Sequence, residues 1–412
     1  MPGHPIIFRL KIATETWSSR RGVTLVKIQS ILLSAVLALP ALSQSFSSTP
    51  LANPSGPGSV QPNWSVAPDG AAVFSWTEPS QGSFSLRYAV RHGGTWSPAI
   101  TVAAHRHFFH HPAEMPEVIA LPGGHWFAHW VEAPEGGDSD AEYVYVSSST
   151  DGTHWTMPLQ AHHDHSAVQH GLASMIANPD GGASIFWLEA LKGEDAPVAL
   201  KRTIVDATGK EVKEEQIQGD VCGCCPTAVT KTSKGLLVAF RAHSKEDIRD
   251  IAVTRLENGH WSTPKIVSAD NWEINACPTN AAAVQAKGDH VAVAWFTGAQ
   301  DMPREQMAFS DDSGSSFTKP VLLSSGHAFG YTALALDDDG GAIVSWLEQS
   351  PAGAKVLVRR VTPAGVAGPV VEVASGGKMA LGYPKLFHNG GDTFVAWGNA
   401  KHIETASLAK KN

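Results

Sequence analysis

Charge is scarce in this sequence. Asp, Glu, Lys and Arg make up only 17% of its 412 residues, against 43% hydrophobic, so a large core can be buried and wholesale disorder is excluded. A basic excess is also missing. The formal net charge is −8, which leaves no electrostatic footprint for nucleic acid and requires a local cationic patch for any anionic ligand. Long apolar runs are missing too, with one exception at residues 28–42, directly after Lys27. That run is too short and too interrupted for a stable membrane span. It reads as an export signal, with Ala41-Leu42-Ser43 as a small-x-small cleavage site near Ser43 or Gln44.

The chain therefore divides into a leader at 1–43 and a single domain at 44–412, exported to the periplasm or beyond and acting as a monomer. Residues before Val23 do not resemble the start of a signal, so translation is expected to begin near Val23 or Leu25. Two rival readings of this end are a twin-arginine signal on Ser19-Arg20-Arg21 and a buried core helix over 28–42.

No helical period runs through the domain. In its place are 38 glycines, 26 prolines and 13 tryptophans, and the tryptophans are periodic. Seven segments share a Gly-containing turn, then an apolar run that ends on an aromatic residue. The aromatics are Trp76, Trp130, Trp187, Phe240, Trp295, Trp346 and Trp397, spaced 51 to 57 residues apart. That is the length of a four-stranded propeller blade. Strands rich in β-branched residues follow each anchor and are bounded by Gly and Pro. The fold class is all-β, a seven-bladed β-propeller of four-stranded blades. The last repeat has three strands before the chain ends. The segment Ser48-Thr49-Pro50-Leu51-Ala52 is expected to supply its outer strand, closing the ring and hiding the sheet edges.

Two turns carry a motif. Ser310-Asp311-Asp312-Ser313-Gly314-Ser315-Ser316-Phe317 fits the Asp-box pattern Ser-x-Asp-x-Gly-x-Thr/Ser-aromatic, and Ser149-Thr150-Asp151-Gly152-Thr153-His154-Trp155 fits it with one residue fewer. The Asp can bind backbone N–H groups of its own turn, while Gly supplies a permissive backbone. Through these turns the chain resembles the sialidase-like, bacterial-neuraminidase-repeat superfamily over roughly residues 48–408. The resemblance implies a structural role for Ser149, Asp151, Trp155, Ser310, Asp312, Gly314 and Phe317, on the face away from an active site. It does not extend to exo-sialidase activity. Phe8-Arg9-Leu10 lies before the leader, and neither an arginine triad nor a Tyr–Glu pair is assignable.

The other face collects the unusual residues. Recurring x-Pro pairs at Gln61-Pro62, Met115-Pro116, Cys225-Pro226, Cys277-Pro278 and Tyr383-Pro384 align the segments leading into successive blades. The alignment gathers histidines of 105–111 and 162–170, all four cysteines, and the charged loop after Phe240 on one channel mouth. Arg241, Asp247, Arg249, Asp250 and Glu117 are candidate catalytic residues, as carboxylates and arginines suited to glycoside chemistry. His110, His111, His170, Trp272, Arg304 and Tyr383 are candidate ligand contacts.

Cys222, Cys224, Cys225 and Cys277 read first as disulfide partners, with Cys225 and Cys277 bridging adjacent blades. Alternatively they form a metal site with His163 and His165, for copper or zinc. No cofactor is otherwise required. The repeated Trp-x-Glu at Glu78, Glu132, Glu189 and Glu348 reads as a packing device. Three functions compete: a glycan-directed enzyme of the glycosidase or lyase type, a non-catalytic propeller binding a glycan, another polar ligand or a protein, and a Cys/His metal-binding exported protein.

Overall fold

The computed structural model describes residues 45–134, 141–191, 196–324, 326–377 and 381–411. The leader, its cleavage site and the alternative starts lie outside the described residues. Seven antiparallel sheets of four or five strands follow one another along the chain. Their innermost strands are Val60–Val66, Glu117–Ala120, His170–Ala177, Ala228–Lys231, Ala282–Lys287, Ala328–Leu336 and Lys385–Asn389. These line a central channel, and three further positions in each sheet run outward from it.

The expected closure is present. Ser45–Pro50 pairs with Ile403–Lys411 as the outer strand of the seventh blade. It starts three residues before the segment read from sequence and runs to Pro50, beyond which Leu51 N still donates to the Thr405 carbonyl at 2.9 Å.

The ring is held by its anchors. Trp76, Trp130, Trp187, Trp295 and Trp346 are fully buried, with Phe240 and Trp397 nearly so. Each sits at the same place on a second strand and packs against the preceding blade. Trp187 joins residues of blade two, Phe240 those of blade three and Trp76 those of blade seven. Burying one indole stabilises by roughly 4–6 kcal/mol of transfer free energy, so the interfaces between blades form the core. The indole N–H needs a partner, and Trp-x-Glu supplies it in blades one, two and six; in blade three Glu189 pairs with Lys201 at 2.7 Å, and the Trp187 indole nitrogen is left without a partner among the described residues. Trp76 donates to Glu78 at 2.8 Å, Trp130 to Glu132 at 2.5 Å and Trp346 to Glu348 at 3.3 Å. Blade five has no such Glu, and there Trp295 donates to Asp270 at 2.8 Å.

Candidate functional site

The mouth of the channel is built from bent strands. The first strands of blades one, three and six each take a left-handed residue near their start: Gln61 at φ 54°, Leu172 at φ 55° and Tyr331 at φ 62°. At each the pairing slips, between Val60 and Asn63, Gly171 and Ser174, and Gly330 and Ala333. Such bulges free backbone N–H groups, which must find partners when buried. Neighbouring blades supply them. Glu114 of blade two accepts from Leu172 and Ala173 of blade three. Asn280 of blade five accepts from Tyr331 of blade six at 2.8 Å. Gln61 donates back to the carbonyls of Phe109 and Glu114, and Tyr383 donates its hydroxyl to Thr279 at 2.8 Å. Burial, then the charge of Glu142, pushes the Glu114 carboxyl up to about 8.

Two cavities open at this mouth and share His111. The first, about 350 Å³, is aromatic. Tyr331 and Tyr383 stack in it at 3.7 Å and 21°, beside Phe329 and the edge-on pair Phe84 and His110 at 4.0 Å. Glu348, Gln349 and Asn399 supply its polar rim. Burial pushes His110 down to about 4, so the ring is neutral near pH 7. The second cavity, about 420 Å³, is lined by Glu142, Gln169, Cys224, Arg249, Cys277 and Thr279 among others.

All four cysteines are free thiols in this structure. The Sγ of Cys222 lies 3.4 Å from that of Cys225 and 3.6 Å from that of Cys224, and all three lie within 4.8 Å of one another. Arg249 points its Nη1 at Cys222 Sγ from 3.5 Å. Hydrogen bonding to Cys224 and Cys225 holds the Cys222 thiol far below its ordinary range, whereas burial pushes Cys225 up.

On the opposite face, both Asp boxes form. Ser310 Oγ bonds Asp312 at 2.7 Å and accepts from Gly314 N at 2.9 Å, while Asp312 accepts from Ser316 N at 2.8 Å. In the shorter turn Ser149 accepts from Gly152 N at 2.9 Å, and Asp151 accepts from Thr153 and His154 at 2.7 and 2.8 Å. Gly152 and Gly314 adopt φ 75° and 82°, and Trp155 and Phe317 pack into the inter-blade clusters. The BNR repeat-like domain matches residues 70–394. The chain belongs to the BNR repeat-like domain family.

Among solved structures, this BNR repeat-like chain is similar to the BP39L lectin from Burkholderia pseudomallei, with 13% identity, a TM-score of 0.59 and coverage of 85% of this chain and 98% of the lectin. Polysaccharide lyase Uly1 is 9% identical at a TM-score of 0.51, covering 88% and 92%. A mutant NanB sialidase from Streptococcus pneumoniae is 11% identical at a TM-score of 0.46, covering 87% and 70%. At these identities the likeness to the lectin and the lyase is one of fold. No curated protein matches the sequence.

The BNR repeat-like ring separates residues that sequence reasoning had grouped. Arg241 is buried, over the Trp272 ring, and spends its guanidinium on the carbonyls of Asn280, Arg249 and Phe296. Asp250 accepts from the backbone of Asn271 and Trp272. Both hold the loop rather than face a ligand. Trp272 is buried beneath Gly298. Asp247 pairs with His243 and Arg249 in the hairpin loop of blade four. Glu117 lies within the channel, 3.7 Å from His129. Arg304 bonds the carbonyls of Ala299 and Met302.

His170 is fully buried, stacked on His162 at 3.9 Å and bonded to the carbonyls of Glu142 and Val168. His163 pairs with Glu211 and Glu214 of blade three, and His165 is exposed. Among the described residues, neither joins the sulfur cluster, which corrects the mixed Cys/His ligand set. The bridge expected between Cys225 and Cys277 is not formed: Cys225 is buried against Cys222, while Cys277 is exposed. His110, His111, Tyr383, Arg249, Cys224 and Cys277 do converge at the mouth. Glu114, Glu142, Asn280, Tyr331 and Gln349 were missed. Glu114 and Asn280 stand just before first strands, and a polar residue there was the available signal.

Proposed function

We propose that this BNR repeat-like protein is exported after loss of its leader, and that its ring engages a glycan at the channel mouth. One observation carries the reading. The 350 Å³ cavity combines an aromatic wall of Tyr331, Tyr383, Phe84 and Phe329 with the polar rim of Glu348, Gln349 and Asn399. A sugar ring presents an apolar C–H face and a belt of hydroxyls, and this lining complements both. Cavities of this volume suit small ligands. The names of the lectin and the polysaccharide lyase point the same way. For export, the support is the apolar run at 28–42 with its cleavage site. No helix among the described residues is long and apolar enough to cross a membrane.

Holding is favoured over hydrolysis. Glycosidases need two carboxylates flanking one bond. Asp250 is committed to backbone N–H groups, and Asp247 and Glu117 occupy a hairpin loop and the channel. A screen of neutral and acidic saccharides against the untagged protein tests the reading. Saturable binding is expected, weakened about tenfold by Gln349→Ala or Asn399→Ala, the equivalent of about 1.4 kcal/mol. Product release from a bound saccharide would replace holding by catalysis. No saturable binding to any saccharide, or binding indifferent to both variants, would remove the glycan assignment.

A further inference from the structure

The cysteine cluster stands outside the aromatic cavity and is not used by the glycan reading. Its loop is fixed from several sides. Cys222 N donates to the Arg241 carbonyl at 3.0 Å, and Gln169 of blade three donates to the Gly223 carbonyl at 2.7 Å. Thr227 N donates to Leu172 at 3.2 Å. Gly223 is required between the first two cysteines, because a Cβ there would run into the Val198 side chain. Supporting bonds of this kind are what hold ligating side chains at a metal.

The sulfur geometry has a specific meaning. Thiolates bound at about 2.3 Å to one tetrahedral or trigonal ion stand roughly 3.8–4.0 Å from one another. The separations of 3.4 and 3.6 Å, with the third within 4.8 Å, are close to that spacing. A single disulfide would join two sulfurs and strand the third. Cys222 and Cys225 are buried, and half-buried Cys224 opens onto the second cavity. Three ligands would therefore hold an ion whose remaining side faces that cavity.

The ligand set selects among ions. Arg249 stands 3.5 Å from Cys222 but also pairs with Asp247 at 3.3 Å, so it offsets only part of the thiolate charge. Three soft thiolates with no fourth protein ligand among the described residues suit Cu(I), where structural zinc takes four ligands.

We infer that Cys222, Cys224 and Cys225 form a binding site for one Cu(I) ion. On binding, each thiol loses its proton to solvent as its sulfur–metal bond forms, and the copper stays in its reduced state throughout.

The test uses the full exported chain, purified without a histidine tag, reduced and kept anaerobic. Cu(I) is titrated in competition with a chromophoric Cu(I) chelator, and Zn(II) is titrated separately against a zinc indicator. One equivalent of Cu(I) is expected, with a rise in thermal midpoint on loading. Cys224→Ser is half-buried and least disruptive to the fold. It should lose the equivalent, whereas Cys277→Ser should keep it. Folding of each variant is checked by circular dichroism, and the wild-type thermal shift is read independently of any variant. Absence of a stoichiometric equivalent in folded, reduced wild-type protein would overturn the site. Preferential uptake of Zn(II) would overturn the choice of ion, and loss of binding in Cys277→Ser would overturn the three-ligand set.

Discussion

The two faces of the ring solve the same problem in opposite ways. On the Asp-box face the bonds that close each turn are local: Ser310, Asp312, Gly314 and Ser316 satisfy one another, and only a few bonds, such as Tyr88 to the Gly152 carbonyl and Arg255 to Ser315, reach a neighbouring blade. At the mouth, bonds pass from blade to blade. Glu114 reaches blade three, Asn280 reaches blade six, and Arg241 binds carbonyls of blade five. The difference teaches that one face is closed mainly turn by turn, while the other is tied chiefly from blade to blade. A local turn can be cut without disturbing its neighbours, whereas a cut in the network should be felt across blades.

Arg241→Ala should show the contrast most strongly. It strands buried carbonyls of three residues, each costing about 1–3 kcal/mol, so a total loss near or above about 3 kcal/mol is expected in denaturant unfolding. A loss below about 1 kcal/mol would mean that the mouth is not a network. Gly330→Ala comes next. Gly330 has φ 98°, and a Cβ there would meet the Asn280 side chain that caps Tyr331. A cost of about 2 kcal/mol is expected, with weaker saccharide binding if the Tyr331–Tyr383 stack shifts. Unchanged stability would show that the bulge tolerates a side chain.

A pH series sharpens the comparison further. Burial raises both Glu114 and Glu305 to about 8. Between about 4.5 and 8 the folded chain keeps protons on these groups that the unfolded chain releases, so stability falls as pH rises. The buried His110 and His162, lowered to about 4 and about 3, act in the opposite sense, but only up to their ordinary value near 6.5. Between about pH 6.5 and 8 these carboxyls contribute a fall of up to about 2 kcal/mol per group, opposed there by Cys222, which the fold holds below its ordinary range. Glu305→Gln should remove its own share of the fall, and thermal midpoints of wild type and variant across the window would measure the difference. Asp312→Ala is the smallest expected effect, about 1 kcal/mol. It should leave saccharide and copper binding unchanged. Impaired binding would mean that the faces communicate.

The same contrast explains what sequence could reveal. The Asp boxes, the periodic anchors and the final strand pairing were readable because each depends on short spacing or on the repeat length. Trp-x-Glu was readable for the same reason, with indole and carboxylate two residues apart. The x-Pro alignment brought His110, His111, Tyr383, Arg249, Cys224 and Cys277 to the residues that line the two cavities, but it could not assign their roles. Arg241 looks catalytic in sequence because its partners Asn280 and Phe296 are 39 and 55 residues away. His163 and His165 sit beside His162 in sequence, yet only the last turns inward to stack on His170. Tyr331 had no pattern of its own, since a bulge is specified by what its neighbour can accept, and Glu114 offered only its place before a first strand.

The closing strand has a mechanical consequence. Ser45 lies opposite Lys411, and Pro50 lies opposite Ala406. The first and last described residues thus meet at the same end of one antiparallel ladder. Tension applied between them would load the rungs one at a time, as in opening a zip, and would never shear all of them together. A ring whose interior is locked by seven buried aromatics is thus fastened by a seam that peels under modest force, and unfolding under tension would start there.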